Sequence, residues 1–477
     1  MKRKAGMLAL LAVIGGTMPA AGQVVRPGDI RYPPLPAWQI PAPERVTLPN
    51  GLVVFLLEDH ELPLINVQVR IKTGSRYEPA DKVGLADVAA TVMRTGGAGD
   101  RSGSEVDQFL EDRAANLYTN MGVSVGTADL SVLKEHFAAV LPVLADVLRR
   151  PRFEEDKIVE AKVQEKSAIA RRNDSPGSIA FREFQKLVYG AASPYARHTE
   201  HATIDGITRD DLVAFHSRFF HPNHVMIGVV GDFKRSDMLR LIRQHFGDWK
   251  RSDVQLPTDF AIEPAAPGKV YFVQKTDITQ TNFRLGHLGT TINDPDYFAV
   301  EVMNTIFGQG FSSRLFNVIR SEKGLAYAIY GGVGASYDYP GVFQVGGETK
   351  FESSSVALRS VLHEIQRIMT EPVSDQELSY GKESYLNSFI FNFDTPAEVV
   401  SRQMLYEYYG YPADFLQTSR ARIEAVTAED IRRAANRFLT PDRLVILAVG
   451  DETKLDTSLA EFGPVVYLDV TIPGGGT

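Results

Sequence analysis

Cysteine is absent from this 477-residue sequence. That single absence removes disulfide scaffolds, thiolate zinc sites, cysteine nucleophiles and a lipid-modified N-terminal cysteine. Any metal would have to be held by His, Asp or Glu. Positive charge is also short: 51 Lys and Arg face 59 Asp and Glu, a net of −8, so there is no basic footprint for nucleic-acid phosphates. The apolar run Met7–Ile14 is about half of the ~20 residues a bilayer-crossing helix needs, so no retained membrane span is expected there. What is present is globular: 44% hydrophobic and 23% charged residues, in a chain long enough for two or more domains.

Lys2, Arg3 and Lys4 precede that apolar run, and the small residues Ala20, Ala21 and Gly22 follow it. This is the pattern of a cleavable export signal over residues 1–22. The remaining chain carries 48 basic and 59 acidic side chains, a net of −11, and is expected in the periplasm or outside the cell. Residues 23–43 are proline-rich and aperiodic, which favours an extended surface arm. Two β-rich runs then follow between Gly51 and Ser75, parted by the charged stretch Glu58–Glu61 as in a hairpin or a sheet edge. Helical periodicity takes over near Gly84.

An internal repeat organises the rest. Ile207–Asp232 aligns without a gap with Val426–Asp451, sharing Thr208/Thr427, Asp211/Asp430, Arg218/Arg437, Phe219/Phe438, Pro222/Pro441 and the closing Val-Gly-Asp. Each copy opens with a Thr able to cap a helix whose first turn is acidic, and ends in an apolar strand. Val53-Val54-Phe55 against Val270-Tyr271-Phe272 extends the repeat at nearly the same offset. The expected chain is therefore a tandem of two α+β halves, 44–250 and 269–470, with a polar, Pro-rich linker at 251–268 and a flexible tail at 471–477. Each half should be an antiparallel-dominated sheet with helices on one face, the two halves enclosing a clam-like cavity.

Several segments carry a resemblance: TLPNGLVVFLLED from Thr47, GLADVAATVM from Gly84, SPYARHTEHATIDGITRDDL from Ser193, VVGD from Val229 and FSSRLFNVIRSEKGLAY from Phe311. With these the chain resembles the insulinase or pitrilysin-type zinc peptidases, whose inverted motif is HxxEH, and in particular their processing-peptidase-like branch. The likeness covers nearly all of the sequence beyond the signal.

In that family the first helix reads GLAHFLEHM, with two His ligands at i and i+4 and a Glu beside the second. Here Asp87 and Thr91 stand at the two His positions and Ala90 at the Glu position. Thr91 brings no imidazole, and Ala90 cannot take a proton from water. Matching the family's third-ligand segment to Asp174-Ser175-Pro176 puts Ala168 at that ligand place, with Glu165 one turn away. The resemblance therefore implies a chain that lacks catalytic residues and metal ligands of its own.

The second half keeps what the first has lost. Arg320 and Tyr327 match the pair that in relatives reaches the zinc-bearing lobe, positions the substrate backbone and helps polarise the scissile carbonyl. A fork of guanidinium donors and a phenol hydroxyl suit those roles. The alternative assignment makes Arg320 an ion-pair partner of Glu322 or Asp338 and Tyr327 a sheet aromatic.

What the resemblance implies is a non-catalytic subunit with no cofactor of its own. It would pair as a heterodimer with an HxxEH-bearing subunit that carries the zinc, and supply Arg320 and Tyr327 for a peptide substrate. Two other readings remain: a peptide-binding or scaffold protein, and a peptidase with an atypical metal site at Asp87 and His198 or His201. His216, His221 and His224, close in sequence, read as solvated or capping histidines.

Overall fold

The computed structural model describes residues 41–474 except Ala413. The expected signal peptide, most of the Pro-rich arm and the last three residues lie outside the described residues.

Alternating burial makes the strands. In Leu64–Ile71 the residues Ile65, Val67, Val69 and Ile71 are buried and their neighbours are not, the period of a strand with one face on a core. The described residues form the strands β1 (Glu44–Thr47), β2 (Val53–Glu58), β3 (Leu64–Ile71), β4 (Asn116–Met121), β5 (Gly126–Leu133), β6 (Val225–Gly231), β7 (Val270–Gln274), β8 (Gln280–Leu288), β9 (Thr290–Thr291), β10 (Ala326–Val333), β11 (Ala335–Ser336), β12 (Val342–Lys350), β13 (Val445–Gly450) and β14 (Val465–Tyr467). They form two six-stranded sheets, ordered β1-β2-β6-β3-β5-β4 and β14-β7-β13-β8-β12-β10, and a short parallel β9–β11 pair.

Read in this direction the sheets match strand for strand. β2–β6 and β7–β13 are parallel, and the next three pairings in each sheet are antiparallel. Only the outer strand differs: β1 runs antiparallel to β2, whereas β14 runs parallel to β7. The two repeated helices, Arg209–Phe219 and Ala428–Phe438, have reciprocal caps between Thr208 and Asp211 and between Thr427 and Asp430. The fold is α+β, duplicated.

One local expectation is corrected. β2 and β3 are not a hairpin, because β6 lies between them, parallel to one and antiparallel to the other. Every residue of β6 is buried, and so apolar a strand is stable only at the centre of a sheet.

The helices of each half bury that half's main core, and in addition the halves exchange one helix. Pro176–Tyr189, in the first half, lays Ile179, Phe184 and Val188 on Val273, Leu447 and Val449 of the second sheet. Pro396–Tyr408, in the second half, lays Val400 and Met404 on Phe55, Met226 and Val230 of the first sheet. Gly228 in β6 permits this approach, since a Cβ there would collide with Met404 and Val400. Polar contacts secure the same seam: buried Arg76 pairs with Asp338, Tyr195 stacks on Tyr339 at 4.1 Å, and the Tyr408 hydroxyl donates to the Ser124 carbonyl at 2.6 Å.

Candidate functional site

The first-half helix Leu85–Thr95 starts after Gly84, whose φ of 100° suits glycine. No side chain caps it in the usual way. Instead the buried Glu78 carboxylate accepts the Ala86 N–H at 2.6 Å and the Gly84 N–H at 3.2 Å. Leu85, Ala86, Val88, Ala89 and Ala90 face the core, which leaves Asp87 and Thr91 on the one side that is partly open.

Asp87 lines a cavity of about 240 Å³ with Glu78, Glu165, Arg197, His198 and Thr199. The neighbouring helix Glu155–Arg171 presents Glu165 there, whereas Ala168 is exposed. The carboxylate position on this helix is thus Glu165, one turn before Ala168, because burial of Ile158, Ala161 and Ile169 fixes which side of the helix faces inward. Ala90 and Thr91 do not line the cavity, and His201 instead opens the short helix His201–Asp205.

Burial pushes the Asp87 carboxyl up to about 6, with Glu165 repelling its charge, and pushes Glu78 up to about 7 against the pull of its two backbone donors. His198 goes the other way, down to about 4, through burial and the nearby Lys186, Arg172 and Arg182. These residues do not fit a zinc ion. They offer carboxylates and a single imidazole, whose Nε2 lies 3.4 Å from Glu200, and no group of three or more ligand-type side chains able to hold a metal exists among the described residues.

A pH dependence follows. Between the ordinary carboxyl range near 4 and the raised folded values, the unfolded chain gives up protons that the fold retains. The contribution of Asp87 and Glu78 is therefore full at low pH and lost as pH rises to 7. His198 opposes it, its contribution being lost as pH falls from 6.5 toward 4. Asp87→Asn is expected to stabilise the protein at pH 8 by on the order of 1–2 kcal/mol, about 1–2 °C in Tm, and to change nothing at pH 4. Thermal unfolding at the two pH values checks this; an unchanged Tm at pH 8 contradicts it.

In the second half the helix Tyr297–Phe307 leads through Gly308-Gln309-Gly310 into a π-helical segment, Phe316–Glu322, and then into β10 at the sheet edge. Such wide helical turns recur at functional sites. Two arginines of this stretch behave differently. Arg314 is buried and bound in a two-pronged pair by Glu377 at 2.6 and 3.0 Å. Arg320 has no carboxylate partner among the described residues; its guanidinium lies over the rings of Phe316 (4.6 Å) and Tyr327 (5.0 Å).

The ion-pair assignment for Arg320 therefore falls, since Asp338 is taken by Arg76. Tyr327 is not a packed sheet aromatic either: it is 79% exposed, where the β10 register breaks between Ala326 and Ile329. Both residues line a cavity of about 870 Å³ with Glu301, Asn304, Phe316 and Tyr330. Among the described residues, its lining comes from the second half. The structure brings Arg320 and Tyr327 together, but it does not bring them into one cavity with Asp87. Glu301 was not singled out from sequence, although a lone acid within YFAVEVMNTIF was a visible signal.

The remaining histidines make local contacts. His216 Nε2 meets the Leu148 carbonyl at 3.0 Å, His221 Nε2 that of Ser217 at 2.9 Å and His224 Nδ1 that of Phe219 at 3.3 Å. Gly231 closes β6 at a φ of 136°, and the Asp232 carboxylate binds His60 (2.6 Å) and Lys134 (2.8 Å).

Two equivalent sheets, one beside a helix stripped of zinc ligands and the other beside an Arg/Tyr pocket, define a duplicated peptidase-type chain with divergent halves. Family models agree: residues 53–196 match "Insulinase (Peptidase family M16)" and residues 206–385 match "Peptidase M16 inactive domain". The chain belongs to the insulinase family, M16.

An uncharacterized zinc protease of Rickettsia felis is 24% identical over 404 residues, spanning 82% of this chain and 94% of that protein. A relative from Helicobacter pylori named non-peptidase homolog YmxG is 23% identical over 383 residues, 78% of this chain and 86% of its own. The crystal structure of a peptidase M16 inactive domain from Pseudomonas fluorescens superimposes with a TM-score of 0.77 at 25% identity, covering 86% of this chain and 97% of its own. The inactive-domain match and the non-peptidase relative fit a non-catalytic member of the family.

Proposed function

We propose that this chain is a non-catalytic subunit that pairs with a separate HxxEH-bearing chain, which carries the zinc, and that it contributes Arg320 and Tyr327 to a composite peptidase site. One observation carries the reading: among the described residues Arg320 has no carboxylate partner and is held by rings beside an exposed Tyr327, in a cavity that the chain's degenerate helix does not line. An unpaired guanidinium and a free phenol hydroxyl are donors kept available for peptide carbonyls. The helix that should complete the site offers Asp87 and Thr91 at the two His positions and Ala90 at the Glu position, so it has no imidazole and no base beside the second ligand place. Export to the periplasm or beyond, through the N-terminal signal, belongs to the same proposal.

Co-expression tests the pairing. The full chain, produced with an HxxEH-bearing family member from the same genome, is expected to co-purify with it as a stable heterodimer. Elution as two separate species at micromolar concentration would contradict the proposal.

A further inference from the structure

A second cavity, of about 250 Å³, lies among the helices Tyr297–Phe307, Asp375–Phe389, Pro396–Tyr408 and Phe415–Ala425 of the second half. Glu301 stands on the wall between it and the pocket of Arg320 and Tyr327, the one described residue that lines both. Its charge belongs to the smaller cavity. Burial raises the phenols of Tyr297 and Tyr385, the Glu301 carboxylate raises both further, and these two tyrosines line the smaller cavity alone. No hydrogen bond or ion pair engages that carboxylate among the described residues, and burial pushes it up to about 7.

Arg402 is the other charged residue on this wall. It donates to Asn392 and lies against the phenols of Tyr337 and Tyr406, all three of which line the same cavity, and it has no carboxylate partner among the described residues. Glu301 and Arg402 do not reach each other. One negative and one positive group therefore face a single enclosed space, each without a counter-ion, and a burial penalty stands on the carboxylate until a cation meets it. The matching ligand carries both signs. It must also be small: at ~30 Å³ per molecule the space holds about eight waters, or one amino acid of modest size.

We infer that this cavity binds a free amino acid, its ammonium on Glu301 and its carboxylate on Arg402, with the tyrosine rings around its side chain. The site is separate from the composite peptidase site and does not depend on it. Its position gives binding a structural consequence. Pro396–Tyr408 is the helix lent to the first sheet through Val400 and Met404, and Arg402 and Tyr406 face the cavity from its other side. A ligand held between Glu301 and Arg402 thus ties the lent helix back to its own half.

Thermal unfolding of the full chain with each of the common amino acids at about 10 mM tests this, and at least one should raise Tm by about 2 °C or more. Calorimetric titration then compares that amino acid with its α-hydroxy acid, which replaces the ammonium by a hydroxyl, and with its amide, which lacks the carboxylate. Each should bind at least about tenfold more weakly. Glu301→Gln should weaken the amino acid by a similar factor and leave the hydroxy acid unaffected, because that analogue has no charge for Glu301 to meet. Phe311→Ala, a change confined to the larger pocket, should leave binding as it was. Failure of every amino acid to shift Tm, equal binding of either analogue, or an equal loss with Phe311→Ala would overturn the inference.

Discussion

Arg320→Ala is expected to lower kcat/KM of the assembled two-chain peptidase by about 10²–10³-fold, the usual loss when one oxyanion-stabilising donor is removed. Tyr327→Phe, which deletes only a hydroxyl, should cost about tenfold or more by the same logic. Neither change should harm folding. Tyr327 is 79% exposed, and Arg320 makes only ring contacts with Phe316 and Tyr327. Arg314→Ala is the informative contrast, because Arg314 is buried and bound to Glu377, so its loss should reduce stability as well as rate. Steady-state kinetics of the mixture, with thermal unfolding of each variant, separate these outcomes. A rate unchanged within twofold for Arg320→Ala would favour the scaffold reading, in which the pocket has no part in proteolysis.

Phe184→Ala should be the most damaging change away from the pocket. Phe184 is fully buried on the helix that the first half lends to the second sheet, packed with Val273, Leu447 and Val449. Truncating a buried Phe costs about 3–5 kcal/mol, through lost burial and the cavity left behind. Here the cavity opens between the halves, so the second sheet should lose protection along with the first-half helix. Phe181, on the same helix but 50% exposed, serves as control, and its truncation should cost less than about 1 kcal/mol. Denaturant unfolding measures both; equal losses at the two positions would mean that the exchanged helix is not the support described.

The duplication was legible because both copies keep the same local instructions. A capping Thr with Asp three residues on, a Pro turn and an apolar strand closed by Gly-Asp recur in register, and the structure places each pair in equivalent positions. Strand pairing was less legible. β2 and β3 adjoin in sequence, but β6, about 150 residues later, is more apolar and takes the centre between them, and nothing local announces that. The exchanged helices were invisible for the same reason, since a single amphipathic face does not say which sheet it covers.

At the degenerate site, the loss of ligands at Asp87, Ala90 and Thr91 was legible once the family likeness placed the zinc motif on those residues. The choice between Glu165 and Ala168 was not, because one helical turn of register is settled only by which side packs inward. Arg320 and Tyr327 were found through family likeness. Their chemical availability, a guanidinium without a carboxylate partner among the described residues and an exposed hydroxyl, belongs to the three-dimensional arrangement.

The most direct test is peptide hydrolysis by the purified full chain, supplied with zinc, alone and then mixed with an HxxEH-bearing subunit. The account predicts no turnover and less than stoichiometric zinc for the chain alone, and chelator-sensitive cleavage only in the mixture. One tightly held zinc per chain, with cleavage by the chain on its own, would contradict it.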